Sequence, residues 1–163
     1  MACRVEGAHA QCVTAGAGTD GETCTQGADC APGYDCTSAG ACRQYCCAGV
    51  CADAFFCDLA ATSSKATVPV CSPVQACTPL ASNACASGEA CTVVEIGAKL
   101  VATCDAVGVG TRGDSCETTL CAAGFACLGS IGARTCQQMC NTANACPNSL
   151  TCNQQSIGVG ICE

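Results

Sequence analysis

The chain has no tryptophan, three phenylalanines, two tyrosines, two methionines and a single histidine among 163 residues. Half of its residues count as hydrophobic, but alanine and cysteine supply 29 and 23 of them. Ordering each residue costs about 1.5 kcal/mol, and so few bulky side chains cannot offset that through burial. An ordinary enzyme domain with a conventional hydrophobic core is therefore excluded. Positive charge is also scarce. Six basic residues (Arg4, Arg43, Lys65, Lys99, Arg112, Arg134) stand singly against 13 acidic ones, for a net charge of −7. Without a basic stripe, nucleic acid and anionic membrane are poor partners. No apolar run approaches the roughly 18 residues of a membrane span.

Several motifs are missing as well. Zinc ribbons, iron–sulfur sites and thioredoxin-type centres rely on Cys-x-x-Cys, because two intervening residues let both sulfurs reach one centre. No interval between successive cysteines has that spacing, and the Cys-x-Cys of metallothioneins is absent too. With His9 the sole histidine, no metal or other cofactor is expected. A Ser-His-Asp or Cys-His arrangement would have to use His9, which falls in an expected hairpin turn, so the chain reads as no enzyme. Asp20, Glu22, Asp29 and Asp35 cluster in sequence but lack the Asp-x-Asp-x-Asp-Gly pattern of a calcium loop and read as solvated surface.

What the chain has is cysteine, 23 of them. That density belongs to an oxidising compartment, so a secreted or cell-surface protein held by disulfides is expected. Met1-Ala2-Cys3-Arg4 carries neither the apolar stretch of a secretion signal nor a lipobox, and the chain reads as opening mid-module. Each bridge closing a loop of 10–15 residues contributes about 3 kcal/mol, so strong reductant should collapse the fold.

The cysteines recur in order. Ala10-Gln-Cys12-Val-Thr-Ala-Gly16-Ala-Gly18-Thr19-Asp-Gly21-Glu-Thr-Cys24 aligns without gaps on Ala102-Thr-Cys104-Asp-Ala-Val-Gly108-Val-Gly110-Thr111-Arg-Gly113-Asp-Ser-Cys116, with seven of fifteen positions identical. Cys30-Ala-Pro-Gly33-Tyr-Asp-Cys36 then answers to Cys121-Ala-Ala-Gly124-Phe-Ala-Cys127, and Cys42-Arg-Gln-Tyr-Cys46 to Cys136-Gln-Gln-Met-Cys140. This is a tandem duplication. Two kinds of four-cysteine module result. One holds Cys24, Cys30, Cys36 and Cys42, and again Cys116, Cys121, Cys127 and Cys136. The other holds Cys46, Cys51, Cys57 and Cys71; Cys77, Cys85, Cys91 and Cys104; and Cys140, Cys146, Cys152 and Cys162. Cys3 and Cys12 form a truncated pair. Cys47 is left over, its counterpart being Asn141, so Cys47 or its neighbour Cys46 is the expected surplus or interchain thiol. The organisation expected is a partial module over 1–15, a first repeat over 16–72, an intervening module over 73–106 and a second repeat over 107–163.

Thr92–Ile96, Gly97-Ala98 and Lys99–Thr103 read as strand, turn and strand. Gly at the first central position suits a type II′ turn. Folding there sets Cys91 opposite Cys104, and the same operation about Gly7-Ala8 sets Cys3 opposite Cys12. Facing Cα atoms lie within the range of a disulfide. The pairs expected on that basis are Cys3–Cys12, Cys91–Cys104, Cys127–Cys136 and Cys152–Cys162, although four cysteines allow three connectivities. The fold class is thus a small disulfide-rich chain of tandem modules, short β-hairpins and loops with little helix.

The succession Gly18-Thr-Asp-Gly-Glu-Thr-Cys24, Asp29-Cys30-Ala-Pro-Gly33-Tyr-Asp-Cys36, Cys42 and Cys46-Cys47 resembles the Dickkopf-type cysteine-rich module. It is similar, more closely, to cysteine-rich repeats of secreted and surface lipoproteins of soil bacteria. The resemblance implies architecture and carries no catalytic residues; in its animal form such a module binds proteins. Two functions follow as expectations. The first is an extracellular structural protein, a stapled rod or filament subunit that self-associates, with the Thr92–Ile96 edge open for strand contact. The second is a secreted binding or protease-inhibitor module whose protein ligand meets Lys65 on the cysteine-free stretch 58–70.

Overall fold

The computed structural model describes residues 2–6, 9–46, 51–63, 65, 67–155 and 157–163. They form two compact units, Met1–Ser72 and Pro73–Glu163. Strands β1 (Ala2–Glu6) and β2 (His9–Val13) pair antiparallel and open unit 1. A single 3₁₀ turn (Gly27–Asp29), the hairpin β3 (Tyr34–Cys36) and β4 (Cys42–Gln44), and the pair β5 (Phe55–Ala60) and β6 (Val68–Pro73) follow. Unit 2 begins with the long hairpin β7 (Glu89–Ile96) and β8 (Lys99–Ala106). Its remaining strands, β9 (Phe125–Leu128), β10 (Thr135–Cys140), β11 (Cys152–Gln154) and β12 (Gly160–Cys162), form one sheet in the order β11-β12-β10-β9. Among the described residues there is no α-helix, and ten disulfides staple the strands and loops. This is the small, disulfide-rich hairpin class.

The registers fall where the turn chemistry puts them. Cys91 faces Cys104 and Ile96 faces Lys99 across a two-residue turn in which Gly97 alone has positive φ, +62°, the sign pattern of type II′. Cys3 faces Cys12, Cys127 faces Cys136, and Cys152 faces Cys162. The bonds do not follow those registers. Cys91 is joined to Cys77 and Cys104 to Cys85; Cys127 to Cys116 and Cys136 to Cys121; Cys152 to Cys140 and Cys162 to Cys146. The expected Cys91–Cys104, Cys127–Cys136 and Cys152–Cys162 bridges are therefore corrected. The cause lies at Cβ rather than Cα. Facing side chains leave a hairpin side by side with Cβ atoms about 4.5–5.5 Å apart, whereas a disulfide wants about 3.8 Å. Each hairpin cysteine instead closes on one from the segment before it. The Cys3 side chain lies outside the described residues, so only the register of that pair is observed.

All five modules share one connectivity, first cysteine to third and second to fourth, including Cys24–Cys36 with Cys30–Cys42 and Cys46–Cys57 with Cys51–Cys71. They also share a turn. Between the second and third cysteines, five residues apart, the backbone reverses, as in the bonds from Tyr34 N–H to the Ala31 carbonyl and from Phe125 N–H to the Ala122 carbonyl. The left-handed residue at that reversal is Gly33, Gly88 or Gly124 in three modules, and Ala54 or Ser149 in the others. The two kinds of module distinguished by spacing are thus one fold with different lead-in segments.

Cysteine makes up more than half of the buried apolar side chains. Unit 2 adds a small apolar cluster of Val93, Ala126, Met139, Val159 and Ile161, against which Leu80, Leu100, Leu128 and Ile157 pack. In unit 1, Cys24, Cys30, Cys36 and Cys42 cluster with Tyr34, and Phe56, Val68 and Val70 are buried.

Candidate functional site

The duplicated sequence builds the same hydrogen bonds twice. Gly16 N–H donates to the Cys30 carbonyl and Gly108 N–H to that of Cys121. Gly18 N–H reaches Asp29 and Gly110 N–H reaches Leu120. Gly21 N–H reaches Cys42 and Gly113 N–H reaches Cys136. The glycines are needed for closeness: a Cβ on Gly16 would collide with the Asp29 carbonyl, and one on Gly108 with that of Leu120. The glycine-rich lead-in is a segment pressed against the next loop, with one β-bridge at Gly18 or Gly110, and the N–H groups of its three glycines are already used by carbonyls.

The acidic residues grouped by sequence do not converge. Asp20 pairs with Arg43 at 2.9 Å. Glu22 receives the Thr19 N–H and hydroxyl. Asp29 receives the Thr25 N–H at 2.8 Å, the Thr25 hydroxyl at 3.0 Å and the Gln26 N–H at 3.1 Å; these bonds, the Thr25 N–H foremost, hold its carboxyl below the usual range. Asp114 is lowered in the same way by Thr111. These carboxylates cap turns. Glu22 and Asp29 do line an open hollow with Gly18, Gly21 and Thr23.

Asp35 is the exception, fully buried despite being read as surface. It accepts the Tyr45 hydroxyl at 2.6 Å and the Cys36 N–H at 2.8 Å. Arg4, 1 % exposed, reaches from β1 into the same interior and donates from Nη2 to the Cys30 carbonyl. A Cβ on Gly27 would lie 2.5 Å from Asp35 Oδ1 and 2.9 Å from Arg4 Nη1, so only glycine leaves room for both. Sequence reading passed over Arg4 as one isolated charge, and no local pattern around Cys3 marks it as interior. In unit 2 the residue after Cys91 is Thr92, whose hydroxyl donates to the Phe125 carbonyl at 3.0 Å. The Thr92 side chain, expected at an open edge, is used within the unit.

Glu117 and Arg134 form the other ion pair given by the described residues, at 3.1 Å. Hydrogen bonds from the Arg134 side chain, then those from the Arg134 and Gly132 N–H groups, pull the Glu117 carboxyl down to about 2.

His9 is exposed at the start of β2, in register with Glu6. Lys65 is exposed too, and its carbonyl accepts the Thr62 N–H at 2.9 Å and the Thr62 hydroxyl at 3.1 Å. Strands β5 and β6 take up both ends of the 58–70 stretch, and Ser63 N–H is tied to the Cys36 carbonyl. Lys65 is thus exposed and tied through its carbonyl to Thr62. Cys46 is bonded to Cys57, which corrects its assignment as a surplus thiol. Cys47 lies outside the described residues.

In every module three sulfurs lie within 4.8 Å of one another, as in Cys24, Cys30 and Cys42 or Cys77, Cys85 and Cys104. Each is already bonded to another sulfur, so the thiolate that a soft metal requires is not presented. The two bridges of a module lie against each other. Comparison of the chain with protein-family models, with curated proteins and with solved structures finds no match.

Proposed function

We propose that this chain is an extracellular structural protein, a disulfide-stapled repeat segment of a rod or filament at the cell surface that associates with copies of itself. The observation that supports it is the recurrence of one disulfide connectivity, first to third and second to fourth cysteine, in all five modules. Units that carry their own staples and pass contacts to the next module are what a linear array is made from. Ten disulfides point to an oxidising, extracellular setting, and secretion follows in this reading. The bacterial surface repeats that the cysteine and glycine pattern resembles fit the same role.

An odd number of cysteines, 23, leaves one thiol that cannot be paired within a monomer, and module counting assigns it to Cys47. Non-reducing electrophoresis of the natively produced chain should show covalent multimers that disappear in reductant and in a Cys47→Ser variant. Negative-stain microscopy should show elongated, regular particles. A clean monomer with featureless particles would overturn the proposal.

A further inference from the structure

The ten bridges are not equally protected. In nine, at least one cysteine is buried; in Cys85–Cys104 both are only half-buried. Burial shields a disulfide because exchange needs a thiolate to approach in line with the S–S bond. The chain around Cys85 is also weakly held. Among the described residues from 73 to 90 none is buried, and Leu80 and Asn83 both adopt left-handed backbone, φ +61° and +58°. Such a conformation is unfavourable for a residue with a side chain, more so for Leu than for Asn, and a loop freed at one end can relax it. Cys104, by contrast, stays in place. It sits on β8 within a hairpin of eight residue pairs, and its N–H is bonded to the Gln75 carbonyl.

We infer that Cys85–Cys104 is a thiol–disulfide exchange site at which small aliphatic thiols form a reversible adduct on Cys85. The thiolate RS⁻ attacks Cys85 Sγ, the Cys85–Cys104 bond breaks, and its electron pair leaves on Cys104 as a thiolate. The products are a Cys85–S–S–R mixed disulfide and the Cys104 thiolate, with no net oxidation. The reverse attack by Cys104 on Cys85 expels RS⁻ and restores the bridge. The segment next to Cys85 moves in this step, while β7 and β8 remain and Leu80 keeps its place against the apolar cluster. This inference is independent of the proposed structural role, because it concerns which bond opens first, whatever the chain is for.

The test uses the oxidised full chain, a limiting amount of cysteamine, a quench with N-ethylmaleimide and peptide mapping. Among the ten bridges, the first products should be a cysteamine adduct on Cys85 and an alkylated Cys104. They should form about tenfold faster, or more, than any product from Cys30–Cys42, whose cysteines are fully buried. Another of the ten bridges opening first, or all of them opening together, overturns the inference. A Cys85→Ser/Cys104→Ser double variant should fold, keep the other nine bridges and lose the fast phase. Its failure to fold would also overturn the inference, since the bond would then be indispensable.

Discussion

The two halves of the duplication solve one packing problem in opposite ways. The position before the third cysteine of the module is Asp35 in unit 1 and Ala126 in unit 2, both fully buried. The position before the next module is Tyr45 in one and Met139 in the other. In unit 1 a guanidinium, a carboxylate and a phenol fill the interior between β1 and the module; in unit 2 Val93, Ala126 and Met139 fill it beneath β7. The backbone hydrogen bonds around both interiors are the same. A covalent frame that fixes the backbone leaves the interior free to be polar or apolar, provided each solution is complete in itself. The polar solution is the more exacting: among the described residues Arg4 Nε and Nη1 find no hydrogen-bond partner.

Exchanging the two solutions one residue at a time should break them unequally. Ala126→Asp places a carboxyl among Val93, Met139 and Ile161 with no hydroxyl to meet it, and should cost about 4 kcal/mol. Asp35→Ala leaves a buried guanidinium without a carboxylate nearby and should cost about 3 kcal/mol. Thermal unfolding followed by circular dichroism measures both. Because the chain has no tryptophan and its only tyrosines are Tyr34 and Tyr45, tyrosine fluorescence isolates the unit 1 change; equal and small losses would show that the interiors are interchangeable.

Where the halves share backbone, the same substitution should cost the same. Gly16→Ala and Gly108→Ala each drive a methyl group into a carbonyl, and each should lose about 2–3 kcal/mol. A difference above about 1 kcal/mol in denaturant midpoints would mean that the shared ladder is not equally tight.

The shared turn offers a gain instead. Ala54→Gly and Ser149→Gly put glycine where three sister modules already have it, and each should add about 1 kcal/mol by removing left-handed strain. Unchanged melting temperatures would refute that account.

The smallest contrast is electrostatic. Glu117 in unit 2 has its carboxyl lowered from 4.5 to about 2. A carboxylate held below its unfolded value stabilises the fold above pH 4.5 and loses that contribution as pH falls towards 2. Since Glu117 and Arg134 are each about a quarter exposed, the effect should be a few tenths of a kcal/mol. Glu117→Gln should remove it, lowering stability by that amount at neutral pH and flattening the acid limb of the stability curve between pH 4.5 and 2, where the two proteins converge.

Much of this fold is written locally. Gly97-Ala98 set the hairpin that faces Cys91 with Cys104, and alignment of Gly16, Gly18 and Gly21 on Gly108, Gly110 and Gly113 announced a repeated ladder. The candidate site was less legible. His9 and Lys65 were visible as residue types, but whether Lys65 projects depended on Thr62 and on β5 and β6 absorbing its flanks. Arg4 could not be recognised as interior, because burying a charge depends on groups 26 and more residues away.

By itself, then, the sequence determined the class: too few large side chains for a core, enough cysteines to replace one, and turns that dictate hairpin register through φ. Tertiary structure alone decided which sulfurs join. Register places cysteines face to face, but facing Cβ atoms sit at or beyond the outer limit of a disulfide's reach, and in the hairpins of Cys91, Cys127 and Cys152 a better-placed partner wins. The bridge goes instead to whichever upstream loop delivers a sulfur from a converging direction, and that direction exists only once the module has folded.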